Sequence, residues 1–303
     1  MTLAPPQQPA AAAAGPGDPV ESRRRVSRRM SGRVTTATYH ALMIVLVVAY
    51  VFPALWAVSM SLRTDANMFR SDQLIPHPIT FEHYANLFDV LPDLWRYFLN
   101  TVVIAVAGTA GTLFSSSLAG YALARFRFPG RTPLLVTLLL TLMVPVHATL
   151  IPQYVIFRNL GWLNGPLPII VPMLFGTAFA TFFFRQFFLT LPRELEDAAA
   201  IDGAGPGRTF FSIIVPLAGP AYLALGLLTF VGLWNSFFVN SIYLSTQDSW
   251  VLTQALQSLI GRYNAQYGEI MAGVTLTSLP ILVAYVIVQR WIVRGISMTG
   301  LAN

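Results

Sequence analysis

Long apolar runs separated by short polar connections dominate the chain from residue 39 onward. Several exceed the roughly 18 residues that a bilayer-spanning helix needs. Taken as helices, they predict spans at 39–62, 99–123, 133–157, 167–188, 213–238 and 270–288. The expected fold is therefore all-α and integral to the membrane, with six transmembrane helices. Between the fourth and fifth spans the pattern changes. Pro192 suits a first helical turn, and Glu194, Glu196 and Asp197 sit early, where acids favour the helix dipole. Ala198, Ala199 and Ala200 continue that helix, Asp202 and Gly203 end it, and Gly205, Pro206 and Gly207 reset the chain before another helix leads into the fifth span. A short helix, a sharp turn and a second helix are predicted on one face of the membrane.

Residues 1–37 carry no such pattern. A Pro- and Ala-rich start followed by Arg23, Arg24, Arg25, Arg28, Arg29 and Arg33 cannot build a core, which predicts a disordered basic tail ahead of a single membrane domain at 38–303. The 39–62 run is too long for a secretory h-region and is followed by no convincing cleavage site, so it is expected to remain as the first span. Every basic residue is Arg. With the N-terminus inside, fourteen arginines fall in the cytoplasm and only Arg63, Arg70, Arg96, Arg158 and Arg262 fall outside, as the positive-inside rule requires. Both termini are then cytoplasmic. The formal net charge of +6 reads as this orientation signal, and no nucleic-acid partner is expected.

With 55% hydrophobic and 11% charged residues, chemistry has few places to reside. The absence of Cys excludes disulfides, thiolate metal sites and a Cys nucleophile. His40, His77, His83 and His147 are scattered without ligand spacing, so no metal site or catalytic cluster is expected, and His77 and His83 are expected to be solvated in an outer loop. Within the spans His147 is the main ionisable residue, with Glu269 at the edge of the sixth. A carrier driven by protons or sodium keeps buried carboxylates, so the energy must come from elsewhere. No G-x-x-x-x-G-K-[ST] phosphate loop is present to bind nucleotide. Neutral polar residues do occur in the spans, among them Thr101, Thr109, Thr112, Ser115, Ser116, Ser117, Thr141, Thr177, Thr181 and Ser236. Such groups bond either a polyhydroxyl solute or a neighbouring helix. Trp234 and Asn235 are the favoured pathway pair, because an indole face stacks on a sugar ring while an amide bonds its hydroxyls. Asn100 and His147 complete the candidate solute pathway.

Asp197, Ala198, Ala199, Gly203, Ile213 and Pro216 together resemble the cytoplasmic EAA motif of the membrane permease subunits of binding-protein-dependent ABC importers. That motif runs Glu-Ala-Ala, three residues, Gly, nine residues, Ile, one residue, Leu, Pro. Asp197 stands where Glu is usual and Val215 where Leu is usual. The resemblance extends from about residue 38 to the end. Asn100-Thr101, Tyr-Ala-Leu-Ala-Arg at 121–125 before Phe128-Pro129-Gly130-Arg131, Met-Val-Pro at 143–145, Leu-Gly-Trp-Leu-Asn at 160–164, Phe-Phe-Arg-Gln-Phe-Phe at 183–188 and Trp234-Asn235 are similar to the carbohydrate branch. Within it, the chain resembles the second permease of a maltose- or glycerol-phosphate-type pair. The branch's C-terminal pattern is kept only loosely, at 299–303.

The resemblance implies a coupling helix between helices 4 and 5, with Glu196, Asp197, Ala198, Ala199, Asp202, Gly203, Ala204 and Pro216 as the ATPase-coupling residues. It implies a homologous second permease, an ABC ATPase dimer that holds ATP and Mg, an extracytoplasmic solute-binding protein, a sugar substrate, and a place in the bacterial plasma (inner) membrane. No catalytic activity and no cofactor are then expected of this chain. Gly203→Asp is expected to abolish transport by disrupting the turn and its docking. The alternatives are a permease for a non-sugar solute and an integral membrane enzyme.

Overall fold

The computed structural model describes residues 19–69, 75–260 and 266–299. Among these residues every regular element is a helix. The chain divides into two units, residues 1–56 and 57–303. Helix α1 (Pro19–Ser61) is continuous from the basic segment into the first apolar run. Residues 1–18 of the expected tail lie outside the described residues. The apolar side chains between Tyr39 and Leu55 are largely exposed, as lipid-facing groups are.

Beyond α1 come α2 (Glu82–Val90), α3 (Leu94–Arg125), α4 (Arg131–Thr141), α5 (Val146–Asn159), α6 (Leu167–Leu174), α7 (Ala178–Thr190) and α8 (Glu194–Ile201). A further run follows: α9 (Pro206–Thr209), a π turn (Phe210–Ile214), α10 (Val215–Leu217), α11 (Gly219–Trp234), α12 (Phe238–Tyr243), α13 (Leu252–Ile260) and α14 (Tyr267–Thr299). Among the described residues four helical segments are long and apolar enough to cross a bilayer alone: Thr38–Ser61, Leu94–Arg125, Leu167–Thr190 and Tyr267–Arg290.

The runs expected as single helices at 133–157 and 213–238 are each broken. Arg131–Thr141 and Val146–Asn159 meet at 98°, and Pro206–Leu217 meets Gly219–Trp234 at 75°. Proline chemistry explains both breaks. Pro145, in extended conformation with ψ 133°, has no N–H and biases Val144 away from helix. Pro216 and Pro220 have no N–H to offer the carbonyls four residues before them, and their rings crowd those carbonyls. The helix widens into the π turn just ahead of Pro216 and turns at Ala218. The fifth apolar run also ends at Trp234, four residues before the expected boundary.

Helix α3 is the centre of the larger unit and packs against α6, α7 and α11. Its row of small residues serves that packing. Leu233 presses on Gly108 and Leu174 on Gly111. The Ser116 hydroxyl accepts from Thr177 N–H at 3.1 Å, and Ser115 donates to the Leu174 carbonyl, so the serines satisfy the gap between α6 and α7. Along this row, another segment's backbone comes closest at Gly120. A Cβ there would lie 2.9 Å from the Thr181 carbonyl and 3.0 Å from Arg185 N, backbone atoms that cannot step aside. Gly120→Ala is therefore expected to destabilise the fold by roughly 1–3 kcal/mol. A lowered unfolding midpoint in detergent, against an unchanged one, decides this.

Candidate functional site

The loop between α7 and α11 is built around α8. Glu194, Glu196 and Asp197 occupy its first turn, where free N–H groups attract negative charge. Its end is closed by two bonds, Gly203 N–H to the Ala200 carbonyl at 3.0 Å and Ala204 N–H to the Ala199 carbonyl at 2.8 Å. This is a Schellman closure, which needs a left-handed residue, and Gly203 supplies it at φ +78°. Seven of the eight expected coupling residues thus lie in one helix and turn. Pro216 lies in α10 beyond the π turn, where it shapes the backbone.

The faces of α8 differ. Glu196 and Ala199, three apart, turn inward. Glu194, Asp197, Ala198, Asp202 and above all Ile201, 88% exposed, turn outward. Behind the inner face Tyr121, Phe184, Phe188, Phe210 and Ile214 form an apolar cluster. The Arg125 Nε lies 2.8 Å from Oε1 of Glu196, a close ion pair not aligned as a hydrogen bond. Arg125 Nη2 also donates to the Leu191 carbonyl at 2.8 Å. Glu196, expected as a coupling acid, is thus engaged within the chain, while Asp197 is presented outward with Glu194 and Asp202. Neither Arg125 nor Ile201 stood out in the sequence. The signals were the Arg that closes the Tyr-Ala-Leu-Ala-Arg run at 121–125 and a lone branched aliphatic residue in a polar loop.

The candidate pathway residues do not converge. Asn100 donates to the carbonyls of Asp248 at 3.3 Å and Trp250 at 2.9 Å, and Thr101 accepts from Leu252 N–H at 2.9 Å, so this pair holds the 248–252 segment. Trp234 is 1% exposed, between Phe98 and Phe230, with its indole N–H donated to the Thr277 carbonyl at 3.1 Å. The expected sugar-stacking face is instead covered by protein. Trp234→Phe is expected to remove that hydrogen bond and leave a gap beside Phe98 and Phe230, at a cost of about 1–3 kcal/mol. Thermal unfolding should register the loss, while a drop in solute affinity at unchanged stability would restore the pathway role. Asn235 is exposed just past α11, and His147 is exposed at the start of α5 with its ring 5.3 Å from that of Phe238. Three of the neutral polar residues, Thr141, Thr177 and Thr181, meet in a cleft of about 400 Å3 between α3, α4 and the α6–α7 junction.

At the other end of α3 one of the two outer-loop histidines departs from expectation. His77 is exposed, but His83 is buried, its Nδ1 3.2 Å from Oε1 of Glu269 in the first turn of α14. The pair ties α2 to α14, which are far apart in sequence. In α12, burial pushes the Tyr243 phenol above its usual value, so it stays protonated and donates to Gln153 Oε1 at 3.0 Å.

The family model described as the binding-protein-dependent transport system inner membrane component matches residues 111–298. A diacetylchitobiose uptake system permease protein of Streptomyces coelicolor is 34% identical over 270 residues, covering 88% of this chain and 89% of that protein. A lactose transport system permease protein of Rhizobium radiobacter is 36% identical, covering 81% and 89% respectively. An sn-glycerol-3-phosphate transport system permease protein of Pectobacterium atrosepticum is 32% identical, covering 85% and 94%. Among solved structures, a bacterial ABC transporter involved in the import of the acidic polysaccharide alginate has a chain of the same fold. Its TM-score is 0.74 at 24% identity, covering 86% of this chain and 97% of that one.

Proposed function

The chain belongs to the binding-protein-dependent transport system inner membrane component family, and from that premise we propose that α8 is the helix through which an ATPase drives it. It is a membrane-embedded permease subunit of an ATP-driven sugar importer and a transport component without catalytic chemistry of its own. In the fuller reading it crosses the membrane six times, each bent pair counting as one broken span, with both termini and α8 in the cytoplasm. ATP and Mg bind the partner ATPase. A homologous permease completes the pathway, and an extracytoplasmic binding protein delivers the solute.

The observation that carries this reading is the outer face of α8. Asp197, Ala198 and Ile201 sit on a helix whose other face is held by its own fold. Small and acidic groups around one exposed aliphatic side chain suit insertion into a cleft with a basic rim. For the solute path, the threonine-lined cleft and, apart from it, the exposed Asn235 and His147 are better supported than Trp234 or Asn100, whose polar groups are already bonded.

The test is co-purification with a homologous permease and an ATPase encoded nearby, followed by ATPase assays with the binding protein and a panel of sugars. Stimulation by one loaded binding protein is expected and would name the sugar. Isolation of the chain with neither partner would reopen the membrane-enzyme alternative.

A further inference from the structure

The last turns of α3 gather every arm of the loop that carries α8. Arg125 reaches two of them, the Leu191 carbonyl just after α7 and the Glu196 carboxylate within α8, each at 2.8 Å. Tyr121, one turn earlier on the same face, packs its ring on Phe188 of α7 at 5.8 Å and on Phe210 of the π turn at 4.9 Å. The ion pair is mostly out of water, with the Arg125 side chain 4% and the Glu196 side chain 19% exposed. Solvent ions screen such a pair weakly. A planar guanidinium held at two points also resists rotation in a way that a single ammonium does not.

We infer that Arg125 and Glu196 are positioning residues that lock α8 to α3, so that displacement of α8 by the ATPase moves α3 instead of being absorbed by the loop. This rests on the permease reading above. An isolated helix of eight residues has little rigidity of its own, and its bearing must come from what holds it. Helix α3 is suited to carry the displacement onward. It packs along α6, α7 and α11, and near its far end Asn100 and Thr101 grip the 248–252 segment. Stability alone is a weak reason for the pair, because apolar groups of like volume serve a core as well or better. The aromatic cluster beside it already supplies such burial. What the ion pair adds is a fixed rotation of α8, with Asp197, Ala198 and Ile201 kept outward.

The experiment is solute taken up per ATP hydrolysed in the reconstituted complex, measured for the wild type, Arg125→Lys, Arg125→Ala, Glu196→Ala and the double exchange Arg125→Glu with Glu196→Arg. A merely structural role lowers uptake and hydrolysis together and leaves the ratio unchanged. The ratio is expected to fall about tenfold in the alanine variants, by less in Arg125→Lys, and to recover in part in the double exchange, within the range of measured coupling energies. A wild-type ratio in the assembled single variants, or a double exchange no better than Glu196→Ala, overturns the lock. Should the alanine variants fail to assemble, the ratio in Arg125→Lys decides alone: reduced supports the lock, unchanged sinks it. A wild-type complex without solute-dependent ATP hydrolysis would overturn the permease reading and this inference with it, whereas a coupled wild type with an unchanged Arg125→Lys removes only the inference.

Discussion

Ile201→Glu is expected to release the ATPase from the complex while leaving this chain folded and in the membrane. Ile201 is 88% exposed and touches little of its own fold, so its replacement should change the stability of the chain by no more than about 0.5 kcal/mol. Seating that side chain in a partner's cleft is worth about 1.5–3 kcal/mol of apolar burial. A carboxylate in its place would also have to be desolvated in the apolar part of that cleft, inside its basic rim. The combined loss corresponds to a weakening of at least about tenfold to a hundredfold in affinity. Pull-down of the ATPase against a titration of that partner reads it directly. Retained affinity would mean that α8 does not dock through this face. Glu194→Gln, at the margin of the same helix, should have a much smaller effect, because an exposed charge contributes about 1 kcal/mol or less.

A second large effect is expected at Gly203, where two substitutions separate the turn from the docking surface. The left-handed conformation costs an ordinary residue roughly 1–2 kcal/mol and a β-branched one more, whereas Asn adopts it comparatively readily. Gly203→Val should therefore open the Schellman closure, release the Ala204 bond to Ala199 and uncouple transport from ATP hydrolysis. Gly203→Asn should retain most of the transport. A Cβ at this position meets nothing within 4 Å. The expected loss of transport in Gly203→Asp is therefore assigned to a new negative charge beside Asp202 on the proposed docking face, added to the cost of the left-handed backbone, and not to crowding inside the chain. Equal transport by the Val and Asn variants would mean that the closure is not what aligns the loop.

Much of this was legible in the sequence for local reasons. Apolar length, arginine asymmetry and the scarcity of carboxylates in the apolar runs are properties of stretches of chain, and so is the helix-and-glycine grammar at 194–203. The limits of those helices in space were not local in the same way. Pro145, Pro216 and Pro220 were visible, but whether a proline merely kinks a span or turns it through 98° or 75° depends on what packs against each half. Polar residues posed the same problem. Asn100, Trp234 and the serines of α3 have the chemistry to meet a solute, and only their neighbours reveal that the Trp250, Thr277 and Leu174 carbonyls already engage them.

The sequence by itself determined the class of the molecule, its family and the short helix with its glycine turn at 194–203, because periodicity, charge count and motif spacing act along the chain. Tertiary structure alone decided which face of α8 is free, that Glu196 belongs to Arg125, that His83 is buried against Glu269, and that Trp234 is core. Each of those outcomes joins residues 43 to 186 positions apart. No local preference encodes such a meeting, which follows only when whole helices have packed and each buried polar group has found its partner.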